Sequence, residues 1–456
     1  MTLIIVLMLI VSYLLIATGH LTGVNKAAIA MFLAAIGWVV YICWGEDFVM
    51  QLHPGQYAEF LGGREADSST IKNFIYDGIF LKYVGKAAAI VMYLLATMSI
   101  IEILNTNGCF DFISEWIRTR NPNRMLWTIT LATFILSANL DNLTTTILML
   151  VTMHTIVKNR AQRKLIGAAV VLAAVCGGCF TVIGDPTGLI LWANEAVTAT
   201  NFSAYLALPA IVAWVLPTAL ISRQLPPRIE IEWVMAPYRG DDTRLNRWQR
   251  ILMLVVGIGG LWFVPTFLSI TRLPAFLGAL CVLSVLWVVN EAFNRKLDNS
   301  DQMMQRRMPR IIQYQALQQM LFVMGVMLGM GVAYETGVLI DVADWIDKTI
   351  DNLWVVGILS GLLGSVVDSF LIAVTDISLY DVWNAGDYAQ NGAYWKVIAY
   401  CTAVGGCLFS VGCISGVALM KMEHIKLGWY RKNITPKVLA GFVAGLAILF
   451  LEVTFF

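Results

Sequence analysis

Three aspartates and an asparagine sit where an apolar chain accommodates them worst. Asp141 and Asn142 interrupt the run FILSANLDNLTTTILML at 134–150, Asp185 stands in VIGDPTG, and Asp368 precedes Ser369 in another apolar stretch. Carboxylate, amide, hydroxyl and main-chain carbonyl oxygens are the ligands that suit a small hard cation. Thr144 and Thr187 offer hydroxyls, and Gly184, Pro186 and Gly188 are placed to unwind a helix around Asp185 and free its carbonyls. A carboxyl group at low dielectric favours its protonated form. A cation arriving at the same oxygens displaces that proton, and one site for which the two compete is enough for exchange. The alternative is that these groups only tie polar turns together by hydrogen bonds. Ionisable residues inside a membrane are more often functional. Asn139, Thr145, Asp376, Glu102 and His154 are weaker candidates, His154 as a pH sensor or an interfacial residue.

The elements that must position these residues are membrane helices. Of 456 residues, 58% are hydrophobic and only 13% charged, about half the charge of a soluble chain. Spans are expected at 3–19, 27–44, 84–105, 165–196, 203–222, 251–269, 273–292, 316–334, 395–420 and 437–456. The first lacks a basic flank and a cleavage site, so it reads as a span and not a signal peptide. Two regions are too short in each half to cross, since a crossing takes about 20 residues. These are 125–157 with the polar NLDN inside it, and 353–380 with Asp368 inside it. Each reads as a re-entrant helical hairpin whose polar tip reaches the middle of the membrane. If each hairpin returns to its own side, one face collects 24 of the 31 Lys and Arg residues. That face is cytoplasmic by the positive-inside rule, with both termini outside.

The chain also repeats itself. CGGCFTVIGDPTGLIL at 176–191 aligns with VGGCLFSVGCISGVAL at 404–419. Gly177, Gly178, Gly184 and Gly188 match Gly405, Gly406, Gly412 and Gly416, Asp141 pairs with Asp368, and Gly108 with Gly337. The match is imperfect, with Ser369 in place of an amide and Cys413 in place of Asp185. The cation site is therefore expected mainly in the first half. Each half has five crossings, an odd number, so the second is inserted upside down. The predicted architecture is an all-α polytopic membrane protein: a first inverted repeat at 1–224, a cytoplasmic linker at 225–250 and a second repeat at 251–456. Each repeat carries a re-entrant hairpin and a broken helix, the plan of secondary transporters with a midplane site.

SANLDNLTTTILM, GGCFTVIGDPTGLILW and AYCTAVGGCLFSVGCISGVALMKMEHIKLGWYRK resemble the NhaD-type Na+/H+ antiporters of the ion transporter superfamily. The resemblance implies Na+ at Asp141, Asn142 and Asp185, with Asp368 supporting, and exchange of cytoplasmic Na+ or Li+ for external H+. It further implies a scaffold domain that dimerises, a transport domain that moves like an elevator, and a bacterial cytoplasmic membrane. No cofactor, enzymatic activity or nucleic-acid partner is expected. Two other readings stand beside it. A sodium-coupled dicarboxylate or anion carrier of the same architecture would present Arg or Lys to its substrate, and no basic residue lies deep in either hairpin or broken span. Lys396 sits at the outer end of its span. An intramembrane aspartyl protease also needs two buried aspartates, but Val182 stands where that class has its first glycine, and the repeat would go unexplained.

Overall fold

An α-helix satisfies its own main-chain N–H and C=O groups, so long apolar runs that face lipid become helices. A computed structural model describes residues 2–62, 67–117, 119, 121–227, 245–294, 310–350, 352–383 and 385–455. Among these, eight helices are long and apolar enough to cross a membrane. The linker expected at 225–250 lies partly outside the described residues, and the helix that follows begins at Arg247, inside its expected bounds.

The span expected at 84–105 starts much earlier. A continuous helical stretch runs over Ser68–Thr106, 39 residues, with a π-helical turn at Ile75–Phe80. Asp67 caps its start by accepting from the Ser68 N–H at 2.8 Å. Ile71, Phe74, Ile75 and Ile79 are all buried, packing with Trp38, Tyr41 and Tyr57. Those apolar contacts turn a stretch expected as loop into the first turns of the helix.

The two short regions each form a pair of helices. Pro122–Ser137 is followed by Asn142–Ile156, and Leu353–Val366 by Ser369–Leu379. None of the four is longer than 16 residues, and in each pair the two helices pack on one another. The glycine-rich segments are likewise interrupted, as Arg160–Cys179 with Pro186–Ala193, and as Ala393–Gly406 with Ile414–Met422.

Glycine explains how the pairs pack against the interrupted helices. A Cβ on Gly177 would lie 2.9 Å from the Phe134 Cα, and one on Gly405 would lie 2.7 Å from the Gly361 Cα. Gly188 and Gly416 lie within helical arms, as do Gly177, Gly178, Gly405 and Gly406. Their part is close approach, to backbone at five of them and to the Ser369 side chain at Gly406. Of the eight matched glycines, only Gly184 and Gly412 fall in the non-helical breaks, which corrects the expectation that Gly188 unwinds the chain.

Two neighbourhoods result. The hairpins and interrupted helices pack with Ala199–Ser222 and Thr435–Phe455. Thr2–Thr22, Lys26–Cys43, Leu81–Thr106, Arg247–Thr271, Ala275–Asn294 and Arg310–Glu335 pack chiefly among themselves. Arg160–Cys179 is enclosed on nearly all sides, whereas Arg247–Thr271 and Ala275–Phe293 bury little of their apolar surface.

Candidate functional site: four capped helix ends around a small cavity

Each helix that restarts after a break needs an acceptor for its first free N–H groups, and Asp at the N-cap supplies one. Asp141 caps Asn142–Ile156, its Oδ2 accepting from the Leu143 and Thr144 N–H groups at 3.0 and 3.2 Å. Asp368 caps Ser369–Leu379 in the same way, accepting from Phe370 and Leu371 at 3.1 and 3.3 Å. Asp185 caps Pro186–Ala193 through the Thr187 N–H at 3.1 Å. Cys413, its counterpart in the repeat, caps Ile414–Met422 with its sulfur on the Gly416 N–H at 3.3 Å.

These four caps meet. Asp141, Asn142, Asp185, Asp368, Ser369, Cys413, Gln319 and Ser415 are among the residues around one cavity of about 50 Å³. That is space for a bare ion and a water or two. Asn142 joins two of the elements: its Nδ2 donates to Asp185 Oδ1 at 2.7 Å, and its Oδ1 accepts from Ser137 Oγ at 2.8 Å. The Ser369 N–H donates to the Gly412 carbonyl at 2.7 Å, so the second tip is sewn to the second break. Thr144 Oγ1 stands 3.5 Å from Asp141 Oδ2, and Thr187 contributes its main-chain N–H to Asp185.

Two groups that touch the cavity's aspartates were not expected from the sequence: Gln319 lines the cavity itself, and Lys26 lines the adjoining one of about 330 Å³. Gln319, in the helix Arg310–Glu335, donates from Nε2 to Asp141 Oδ1 at 2.9 Å. Lys26, the first residue of Lys26–Cys43, places Nζ 3.1 Å from Asp368 Oδ2 and also donates to the Val367 and Val411 carbonyls at 3.4 and 3.1 Å. A cation therefore does reach a hairpin tip, from a neighbouring helix. Glutamine inside an apolar run was the available signal for Gln319. Lys26 at a span boundary looks like an ordinary interfacial anchor, and only packing reveals its target. Lys396 is also deeper than its position suggested, buried with Nζ 3.5 Å from the centre of the Tyr205 ring.

The weaker candidates lie outside this cavity lining. Asn139 Oδ1 accepts from the Trp262 indole N–H, and its amide donates to the Ile135 carbonyl at 2.9 Å. Thr145 is buried beneath the tip. Asp376 is buried farther along its arm, where the Tyr394 hydroxyl donates to its main-chain carbonyl at 2.9 Å. Glu102 is half-buried within Leu81–Thr106. His154 Nδ1 lies 3.1 Å from the buried Glu423, whose carboxylate also accepts from Arg163 Nε at 2.9 and 3.1 Å.

Apolar helices of crossing length around a small carboxylate-lined cavity define a multi-pass membrane transporter. A family model described as citrate transporter (CitMHS) matches residues 1–405, and the chain belongs to that family, within the ion transporter superfamily. It is similar to sodium/proton antiporter 2 of Arabidopsis thaliana, 31% identical over 363 residues that cover 79% of this chain and 84% of that protein. Sodium/proton antiporter 1 of the same plant is 31% identical over 370 residues, covering 79% of this chain but only 61% of the relative. The Na(+)/H(+) antiporter NhaD of Vibrio cholerae is 25% identical over 383 residues, covering 79% of this chain and 77% of that protein.

Proposed function

We propose that this protein exchanges cytoplasmic Na+, and also Li+, for external H+ through competition at Asp141 and Asp185, assisted by Asn142, Asp368 and Ser369. The observation that carries the reading is the cavity itself: three aspartates face a space sized for an ion, and each already caps a helix. Capping matters to the choice of substrate. Open helix N-termini favour an anion, whereas these ends are occupied by the protein's own acceptors. The relatives named as sodium/proton antiporters support the same reading.

Oxygens from the caps take the cation, and proton binding at those carboxylates releases it. Exchange of more than one proton per cation would be driven by voltage as well, at about 2.3 kcal/mol per charge per 100 mV. The hairpins and interrupted helices, packed as one neighbourhood, are the natural moving body of an elevator, with the remaining helices as a dimerising scaffold in inverted repeats. The basic loops face the cytoplasm of a bacterial inner membrane, and both termini face outside.

A second reading, sodium-coupled uptake of a carboxylate, draws on Lys26 and on the family description. The aspartate cavity, about 50 Å³, is too small for a di- or tricarboxylate, and Lys26 itself lines the adjoining cavity of about 330 Å³, so flux decides. Proton flux in respiring everted vesicles separates the two. Na+ or Li+ should collapse the proton gradient with wild type and not with Asp141→Asn, while K+ and Ca2+ serve as controls. Carboxylate uptake with Na+, and no cation-evoked proton release, would replace the antiport reading with the carrier.

A further inference from the structure

The two halves treat their hairpin aspartates differently. Asp368, 1% exposed, receives an ammonium. Asp141, 4% exposed, receives among the described residues, beyond the donors of its own helix start, the neutral amide of Gln319. The Lys26 ammonium sits among one carboxylate and two main-chain carbonyls, those of Val367 and Val411. Carboxylate and unwound-backbone oxygens are the set that transporters offer to Na+.

The internal repeat maps that set onto the first half. Asp368 corresponds to Asp141, so Val367 corresponds to Leu140. Gly412 corresponds to Gly184, so Val411 corresponds to Ile183. Asp141, Ile183, Gly184 and Asp185 come together at one point beside the cavity, with no room for a water between them. Charge follows the same division. The first half has Asp141, Asn142 and Asp185, whereas the second has Asp368, Ser369 and Cys413, with Lys26 balancing the single carboxylate.

We propose that the Lys26 ammonium is a resident cation filling the second half's counterpart of the ion site, leaving one mobile cation per chain to be held by Asp141 with the carbonyls of Leu140 and Ile183. This rests on the cation-transport reading and extends it to the number of ions and their ligands. Removal of one member of a buried pair leaves a charge that demands a partner. The tethered ammonium meets that demand at Asp368 without consuming an ion. It also makes the missing amide at Ser369 and the missing carboxylate at Cys413 intelligible, because a site with a built-in cation needs neither.

The test is the stoichiometry of radioactive Na+ binding to purified full-length protein. Wild type should saturate at one ion per chain, and Lys26→Gln should gain a second. Lys26→Gln/Asp368→Asn should return to one. A folded Lys26→Gln that still saturates at one overturns the inference while leaving cation transport intact. Wild type that binds no Na+ sinks both. Should Lys26→Gln not fold, the double variant and Asp141→Asn decide: one ion and none, respectively, are expected. Retention of an ion by Asp141→Asn overturns the proposal.

Discussion

Asn142 Nδ2 donates to Asp185 Oδ1 at 2.7 Å, joining a hairpin tip to the break in a neighbouring helix across 43 residues of sequence. The bond holds two of the proposed cation ligands in one geometry, and it exists because Gly178 has no side chain. A Cβ there would collide with Asn142 Oδ1 and would lie 2.8 Å from the Gly184 carbonyl.

Gly178→Ala should therefore displace Asn142 and raise the half-saturating Na+ concentration by about 100-fold, the usual cost of a misplaced ligand. Proton release from vesicles titrated with Na+ measures it. An unchanged titration would mean that Asn142 does not contribute to the site.

Among the described residues, Gln319 is the only neutral donor given to Asp141 by a helix of the other neighbourhood. Loss of one such hydrogen bond costs about 1 kcal/mol, or roughly fivefold in affinity. Gln319→Leu should shift Na+ half-saturation by that amount without abolishing exchange. Gln319→Glu should do more harm, since it sets a second carboxylate against Asp141. Equal effects of the two variants would rule out an electrostatic role for this contact.

Glu423 is 2% exposed and takes Arg163 in a two-oxygen contact at 2.9 and 3.1 Å, linking the start of the first broken helix to the end of the second. Glu423→Gln should destabilise the fold by about 2 kcal/mol, because a half-buried guanidinium loses its charge partner while keeping the Val157 and Lys158 carbonyls. Thermal unfolding in detergent reads the loss. Removing both charges, as Glu423→Leu with Arg163→Met, should recover much of it. A double variant less stable than either single one would refute the pairing argument.

The proposed orientation is open to chemical labelling. In a background lacking the exposed Cys43 and Cys281, Thr155→Cys should react with an impermeant maleimide only in everted vesicles. Trp383→Cys should react only in the right-side-out form. Both positions are exposed. Reaction of both from the same side would overturn the assigned topology.

Much of the candidate site's geometry was legible because it is local. An aspartate followed by an apolar helical run is an N-cap by its own backbone chemistry, so Asp141, Asp185 and Asp368 identify themselves from neighbours two or three residues away. The internal match paired Asp185 with Cys413, and both turn out to cap a helix. The apolar runs determined the helical class, since a lipid-facing backbone has few other ways to satisfy itself. The glycine spacing was equally visible, although its physical meaning was closeness to backbone at five positions, closeness to the Ser369 side chain at Gly406, and a break at only two.

What sequence could not determine was which distant groups meet. Asp141 meets Gln319 across 178 residues, and Asp368 meets Lys26 across 342. No periodicity encodes such pairs, because helix rotation and crossing are decided by packing. Packing likewise drew Ser68–Phe80 into the long helix, where buried Ile and Phe outweigh a polar composition, and it left Asp376, two turns from Asp368, outside the cavity lining. The sequence by itself determined that there are carboxylates at helix breaks in a membrane protein. The tertiary structure decided which of them carries a tethered ammonium, because that depends on the reach of one lysine from a neighbouring helix.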